Sequence, residues 1–264
     1  MAKAAVLGVI PARLGSERLP RKPLHRLAGR PLIEWVWRRV SGFGVLDRVV
    51  VATESEEVVS VCRGFGAEAV LTDAGHRTGT DRVAEVVRRY GGGEVDVVVN
   101  VQGDEPFMEE APVAAAVRLV REGWEVGTVA CPVGNLAAWR DPSVVKVVRR
   151  TDGGALYFSR APIPWRRSGE PGEADLGSAN YLRHIGVYAY APAALARWVS
   201  LPAGELEELE KLEQLRALAA GIRIGVAVVG ELAGGGVDTL EDARRAEARL
   251  LASESNQYNA LVSG

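Results

Sequence analysis

The chain has 264 residues, of which 47% are hydrophobic and 25% charged, a balance typical of a folded protein with a sizeable core. Its net charge of -2 provides no basic excess for holding a nucleic-acid backbone, so we expect no nucleic-acid partner. The chain has neither a signal-peptide pattern nor an apolar run near the roughly 20 residues that a membrane span needs. We therefore expect a cytoplasmic protein without a membrane partner.

Short runs of β-branched residues alternate with amphipathic helical patterns through the first half of the chain. Five strands are predicted there, at Ala5–Ile10, Arg48–Ala52, Glu68–Leu71, Asp96–Val101 and Val126–Pro132. Most of these runs are apolar throughout, as is typical of strands that helices cover on both faces. The alternation itself indicates parallel βαβ units.

The pattern changes after about Asp141. Three strands follow one another, and the chain then returns to helix, strand and helix. These elements are predicted at Val144–Arg149, Leu156–Phe158, Ile185–Tyr190, Glu205–Ala220, Ile222–Val229 and Thr239–Leu251. We predict a single α/β domain over residues 1–252, with a β-rich excursion at about 141–200 that makes a subunit contact. Residues 253–264 are polar and unpatterned, a tail with no assigned function.

A group of cationic residues follows the first predicted strand. Arg13, Arg18 and Lys22 share a loop with Gly15 and Ser16, and three prolines stiffen it. Open α/β sheets bind ligands at the loop that leaves the first strand. Arginine and lysine side chains bind phosphate oxygens, and a stiff loop holds them in place before the ligand arrives. A solvated basic loop has a similar composition, but the stiffness favours a phosphate site.

Two aspartates are candidates for holding a metal ion. Asp104 follows the strand that ends at Val101, and Asp238 follows the glycines 234–236. Protein sites commonly hold Mg²⁺ by one or two carboxylates together with phosphates and water. Without the metal, each carboxylate would repel a triphosphate by about 4 kcal/mol per unit-charge pair at ~4 Å and an effective dielectric of ~20. Both residues would also suit the first turn of a helix, with Thr239 and Asp242 forming a capping box beside Asp238.

Several separated segments resemble the 3-deoxy-manno-octulosonate cytidylyltransferases, also called CMP-Kdo synthetases. They are Pro11–Leu24, His76–Arg82, Asn100–Pro106, Tyr157–Pro164, Arg183–Tyr188, Leu212–Arg216 and Gly236–Thr239. The run Arg18-Leu19-Pro20-Arg21-Lys22-Pro23-Leu24 is the most specific of them. The resemblance spans Val6 to about Leu250. It implies a mixed, mostly parallel sheet flanked by helices, as in nucleotide-diphospho-sugar transferases, and a homodimer.

The resemblance implies a magnesium-dependent transfer of CMP from CTP to the anomeric hydroxyl of an acidic sugar, with Kdo expected. Carried over to this sequence, the catalytic residues are Arg13, Lys22, Asp104 and Asp238, and the last two hold the magnesium. The CTP contacts are Pro11, Ala12, Arg13, Ser16, Arg18, Lys22, Thr78, Arg82 and Gln102. The sugar contacts are Arg160, His184, Glu213 and Gln214.

Other interpretations of the same residues stay open. Arg82 also suits an exposed helix surface, and a lone histidine such as His184 is more often structural. Glu210 would share a helix face with Glu213 and Gln214, but it ends a glutamate-rich run typical of a solvated surface. The chemistry could serve another acid sugar, of the nonulosonic or amino-modified type. A nucleotide-binding protein that kept the fold without turnover is a further alternative.

Overall fold

The computed structural model describes residues 5–16, 18–90, 95–230 and 235–262, with side chains in the last helix described as far as residue 253. The strands are β1 (Ala5–Pro11), β2 (Arg26–Leu27), β3 (Arg30–Pro31), β4 (Arg48–Thr53), β5 (Glu68–Leu71), β6 (Val95–Asn100), β7 (Val126–Pro132), β8 (Lys146–Arg149), β9 (Ala155–Ser159), β10 (Leu182–Tyr190) and β11 (Ile224–Val228). The α-helices are α1 (Leu32–Val40), α2 (Glu56–Gly64), α3 (Gly79–Arg89), α4 (Glu110–Arg121), α5 (Leu136–Arg140), α6 (Glu173–Leu176), α7 (Pro192–Ser200), α8 (Glu205–Glu210), α9 (Gln214–Ala219) and α10 (Leu240–Val262).

The chain divides into two compact units. Unit 1 comprises the described residues of Met1–Leu7, Val87–Asn100 and Glu109–Leu232. Unit 2 comprises those of Gly8–Val86, Val101–Met108 and Ala233–Gly264. The prediction of a single domain over residues 1–252, and of a subunit contact within 141–200, stays a prediction.

Unit 1 is built on a mixed sheet. β7 pairs in parallel with β11 and antiparallel with β10, which also pairs antiparallel with β6 and β8. β9 continues the sheet beyond β8. Helix α4 packs on β7 and β10. A Cβ at Gly127 on β7 would lie 2.2 Å from the carbonyl oxygen of Ala116 on α4, so glycine is what permits this close packing.

Unit 2 holds the parallel pair β4 and β5, with β1 beside β4. Helix α2 packs on both β4 and β5, and Ser55 caps its first turn by accepting a hydrogen bond from the Val58 amide. The strand interiors are apolar and buried, as Val9, Val50 and Val51 are. Helix α10 contacts β2, where Ala28 N donates to the Glu247 carboxylate at 2.8 Å.

The five strands predicted in the first half of the chain are confirmed to within one residue at each end. Two predictions in the second half were wrong. The expected helix Glu205–Ala220 is broken into α8 and α9, because Lys211 adopts a left-handed backbone conformation with φ 51°. The helix predicted at Thr239–Leu251 runs on, as α10, as far as Val262.

Candidate active site

A cavity of about 280 Å³ lies in unit 2, among the loops that follow β1 and β5 and the turn at residues 102–104. Its lining includes most of the residues predicted to bind CTP, namely Pro11, Ala12, Arg13, Ser16, Lys22, Thr78, Arg82 and Gln102, together with Asp104. The turn can approach β1 because residue 103 is glycine: a Cβ there would lie 2.6 Å from the Pro11 carbonyl oxygen. The structure thus gathers a cationic loop and a carboxylate around one opening.

Lys22 connects the two predicted metal ligands. Its ammonium lies 2.5 Å from Asp104 Oδ2 and 2.9 Å from Asp238 Oδ1. Burial opposes the charged form of Lys22, but the attraction and hydrogen bonds of Asp104 and Asp238 outweigh it and raise the pKa of the ammonium above its usual value. Arg18, which is not among the cavity-lining residues, contacts Asp238 at 3.1 Å. Every residue predicted to be catalytic therefore lines the cavity or contacts a residue that does.

The carboxylate of Asp238 is separate from the cap of helix α10. The capping box is made by Thr239 and Asp242, since the Thr239 amide donates to Asp242 Oδ2 at 2.8 Å and the Asp242 amide donates to Thr239 Oγ1 at 3.2 Å. The backbone fixes Asp238 near Asp104, because Val237 N donates to the Asp104 carbonyl oxygen at 2.8 Å. The Asp238 side chain is thereby free of the cap and faces the cations of the loop.

The donor set suits a magnesium ion. Among the described residues, no group of three or more histidine, cysteine or acidic side chains forms a metal cage. Asp104 and Asp238 nevertheless converge on one cationic centre, the Lys22 ammonium, so the two carboxylates can face a single ion. Two carboxylates completed by phosphate and water oxygens are a usual magnesium environment.

Arg82 lies at the cavity with only 2% of its surface exposed, which excludes the exposed helical position considered from the sequence. Its guanidinium contacts Glu54 Oε2 at 2.9 Å and donates to Thr72 Oγ1 at 2.7 Å. The other Glu54 oxygen accepts a hydrogen bond from Leu14 N at 2.9 Å. Glu54 therefore joins the buried arginine to the cationic loop.

The loop that leads into α3 is held by acid residues of that helix. Thr78 Oγ1 lies 3.0 Å from Asp81 Oδ2 and accepts from the Asp81 amide at 3.2 Å, so the two residues cap the helix. His76 Nε2 lies 2.5 Å from Glu85 Oε2. The Thr78 hydroxyl consequently reaches the cavity from a fixed helix start.

The residues predicted to contact the sugar lie in unit 1. Arg160, after β9, donates from Nε to the Glu210 carbonyl oxygen at 2.6 Å and from Nη1 to the Pro142 carbonyl oxygen at 2.9 Å. Carbonyl oxygens are neutral dipoles, so these contacts orient the guanidinium without cancelling its charge. The Glu210 carboxylate accepts from Ser159 Oγ at 2.6 Å and from Arg160 N at 2.8 Å. The interpretation of Glu210 as a solvated surface residue is therefore wrong.

His184 lies inside β10, because that strand begins at Leu182 and not at Ile185, where the sequence predicts its start. Its ring packs against Phe158 and Tyr188, with centroids 5.1 and 5.2 Å away, and burial lowers the pKa of the imidazole to about 3. Burial, and to a lesser degree Tyr190 and Glu213, raises the pKa of Tyr188 well above its usual value. Glu213 is thus electrostatically coupled to the His184 neighbourhood, while Gln214 is buried at the start of α9.

Sequence reasoning missed two polar residues at these sites, Glu54 and Thr128, and misplaced a third, Glu210. Glu54 directly follows β4, so the rule applied to Asp104, an acid just past a strand, would have found it. Glu210 was linked to Glu213 and Gln214 through one continuous helix, and the break at Lys211 removes that shared face. Thr128, buried in the middle of β7, carried no signal in the sequence.

A family model described as cytidylyltransferase matches residues 7–224. The 3-deoxy-manno-octulosonate cytidylyltransferase of Gemmatimonas aurantiaca is 48% identical, covering 96% of this chain and 98% of its own. The enzyme of the same name from Halorhodospira halophila is 47% identical, covering 95% and 98%.

Solved structures are also similar to this chain. A CMP:2-keto-3-deoxy-manno-octonic acid synthetase complexed with CTP is 38% identical, with a TM-score of 0.85 over 95% of this chain and 100% of that one. A 4-diphosphocytidyl-2C-methyl-D-erythritol synthase from Anaerococcus prevotii is 14% identical with a TM-score of 0.61, a likeness of fold. The predicted mixed sheet with flanking helices is confirmed. This chain belongs to the 3-deoxy-manno-octulosonate cytidylyltransferase family of nucleotidyltransferases.

Proposed function

We propose that this chain transfers CMP from CTP to the anomeric hydroxyl of Kdo and releases pyrophosphate in a magnesium-dependent reaction. One observation carries the proposal: Lys22 joins Asp104 and Asp238 at the cavity that Arg13, Thr78 and Arg82 also line. The names of the relatives, 48% and 47% identical over nearly their whole length, support CTP and Kdo as the substrates.

The cationic loop is assigned to the triphosphate. Arg13 and Lys22 bind its phosphate oxygens and stabilise the negative charge that develops on the departing pyrophosphate. Ser16 and Arg18 assist them. Pro11 and Ala12 form the backbone wall of the cavity, and Thr78, Arg82 and Gln102 bind the cytidine.

Asp104 and Asp238 are assigned to magnesium. When bound, Mg²⁺ supplies the positive charge that neutralises the triphosphate and orients the reacting oxygens. If Asp104 and Asp238 held the ion, the Lys22 ammonium, which contacts both carboxylates in this structure, would be available for phosphate oxygens. Lysine suits this exchange because its charge lies on a flexible stem.

Arg160, His184, Glu213 and Gln214 are assigned to the acid sugar. The guanidinium of Arg160 keeps its charge while carbonyl oxygens orient it, so it can pair with the sugar carboxylate. His184 and the side chains of α9 provide hydrogen-bond groups for the hydroxyls. A homodimer and a cytoplasmic location belong to the same proposal. Both rest on the family resemblance. None of the described helices has the length and apolar character needed to cross a bilayer.

Pyrophosphate release from CTP, Mg²⁺ and Kdo tests the proposal. We expect release that requires all three components, and Asp104→Asn should remove most of it while leaving the far-ultraviolet circular dichroism unchanged. Parallel reactions with nonulosonic and amino-modified acid sugars should be slower. Faster turnover of one of those sugars would reassign the substrate, and tight CTP binding without turnover of any acid sugar would favour a non-catalytic nucleotide-binding protein.

A further inference from the structure

A bulge in β10 determines what the buried hydroxyl of Thr128 does. The antiparallel register between β10 and β7 shifts between Ile185 and Tyr188, which places Gly186 and Val187 in the irregularity. The Val187 carbonyl oxygen lies 2.7 Å from Thr128 Oγ1. A carbonyl oxygen can only accept, so the single hydrogen of the Thr128 hydroxyl points to Val187.

The same hydroxyl oxygen lies 2.9 Å from His184 Nε2. Because its hydrogen is already donated to Val187, Thr128 Oγ1 can only accept from the imidazole. Nε2 must therefore carry a proton. The opposite arrangement would set two acceptors, Thr128 Oγ1 and the Val187 oxygen, against each other at 2.7 Å.

The other ring nitrogen follows from the charge of the imidazole. Burial among Phe158 and Tyr188 lowers the pKa of His184 to about 3, so the ring is neutral near neutral pH and carries one proton. That proton is on Nε2, and Nδ1 is consequently an acceptor. A neutral ring with an acceptor nitrogen takes a hydrogen bond from a hydroxyl and repels a carboxylate.

We propose that Thr128 is a positioning residue that holds His184 as its Nε2–H tautomer, so that Nδ1 accepts a hydrogen bond from a hydroxyl of the acid sugar. This inference rests on the proposed function for its ligand, but the tautomer itself does not depend on that function. In this tautomer His184 helps to orient the sugar. Nδ1 binds a sugar hydroxyl and repels the sugar carboxylate, which then pairs with a cation such as Arg160.

A neighbouring side chain also points to a ligand. Tyr188 is 8% exposed, and within the described part of the chain its hydroxyl oxygen is buried without a hydrogen-bond partner. Leaving a buried hydroxyl unsatisfied costs about 1–3 kcal/mol. The Tyr188 ring lies 5.2 Å from that of His184. A ligand with several hydroxyls could donate a hydrogen bond to His184 Nδ1 and also provide a partner for the Tyr188 hydroxyl.

Nuclear magnetic resonance of the ligand-free protein tests the tautomer directly. The chain has three histidines, and ¹⁵N-histidine labelling with a His184→Gln reference spectrum identifies the signal in question. We expect an Nε2–H pattern for His184 in the wild type and in Thr128→Ser, which keeps the hydroxyl. Thr128→Val, which has nearly the same shape but no hydroxyl, should lose the single tautomer. An Nδ1–H pattern in the wild type would overturn the proposal, whether or not the variants fold.

Steady-state kinetics tests the consequence for the substrate. Thr128→Val should raise KM for Kdo about tenfold, which corresponds to the loss of one hydrogen bond, and should leave KM for CTP within about twofold. Thr128→Ser should restore KM for Kdo. Equal KM increases for both variants, or for both substrates, would indicate a packing role and overturn the proposal. If the wild type turns over no acid sugar, the proposed function fails, while the labelled spectra still decide the tautomer.

Discussion

The candidate residues of unit 2 and those of unit 1 are held in place by different forces. In unit 2, full charges face opposite full charges: Lys22 contacts Asp104 and Asp238, and Arg82 contacts Glu54. In unit 1, neutral groups contact the side chains of Arg160 and His184, whereas Glu213 pairs with Arg216 at 3.3 Å. Arg160 donates to carbonyl oxygens, and His184 contacts the Thr128 hydroxyl.

The difference indicates how each region responds to a ligand. A charge that is paired with another charge must exchange partners when a triphosphate or a metal ion arrives, so the cavity of unit 2 should be sensitive to ions. The Arg160 guanidinium, oriented by carbonyl dipoles, and the neutral His184 imidazole need no such exchange of charged partners. Ligand binding at these two residues should therefore depend on hydrogen-bond geometry. Three measurements can break or sharpen this contrast.

The largest effect is expected for Lys22→Met. If Lys22 stabilises the developing charge as proposed, losing it should lower turnover by roughly 10³-fold, equivalent to about 4 kcal/mol. Without the ammonium, Asp104 and Asp238 repel each other, so Mg²⁺ alone should raise the Tm of the variant by more than that of the wild type. Thermal unfolding with and without Mg²⁺ measures this.

Arg38→Met is the matched control, because it removes a half-exposed cation that pairs with Glu34 on α1. It should leave turnover and the Mg²⁺ response unchanged. An identical Mg²⁺ shift in Lys22→Met and the wild type would show that the lysine does not compete with the metal for the carboxylates.

A smaller effect, on the free energy of unfolding, is expected for Arg82→Gln. Removing the guanidinium leaves the Glu54 carboxylate, 18% exposed, without its charge partner, and this should lower the free energy of unfolding by about 3 kcal/mol. The double variant Arg82→Gln/Glu54→Gln removes both charges and should regain more than half of that loss. Urea unfolding measures both. A double variant no more stable than the single one would mean that packing, not charge pairing, holds Arg82.

The smallest effect is expected in how stability depends on pH, where His184 of unit 1 and Lys22 of unit 2 should differ. His184 has a folded-state pKa of about 3 against an ordinary value of 6.5, so the unfolded chain takes up the proton first. The contribution of neutral His184 to the free energy of unfolding is complete above pH 6.5. It declines as the pH falls toward 3, by at most about 1.4 kcal/mol per pH unit. Between pH 7 and 5, the wild type should lose about 2 kcal/mol more than His184→Gln does.

Lys22 provides the contrast, because the stability from its raised pKa is complete below the ordinary value of 10.5 and is lost only as the pH rises above it. The Lys22 ammonium itself therefore contributes no pH dependence of stability between pH 7 and 5. If urea unfolding gave parallel curves for the wild type and His184→Gln, His184 would not be held neutral in the folded protein.

The cavity of unit 2 could be largely predicted because its residues follow a positional rule. Arg13 follows β1 and Asp104 lies just past the strand prediction that ends at Val101, and ligands collect at the carboxyl ends of parallel strands. The hydrophobic runs of those strands are long and uninterrupted, so their bounds were predicted to within one residue. The ion pairs of Lys22 with both carboxylates could not be predicted, since residue types do not state which side chains meet.

The arrangement in unit 1 depends on local backbone irregularities that hydrophobic periodicity does not reveal. Lys211 takes a left-handed conformation although it is not glycine, and this break turns Glu210 toward Ser159. The β10 bulge that supplies the Val187 carbonyl to Thr128 is also a departure from a regular strand. Such features depend on tertiary packing, which overrides the local preference of the residues.

Lys22 and Asp238 meet across 216 residues of sequence. Because a ribosome makes the amino end first, the cationic loop and Asp104 leave it well before the second carboxylate exists. The order of synthesis therefore postpones the contact between Lys22 and Asp238 until translation has passed that residue, and the helix α10 part of unit 2 is added only afterwards.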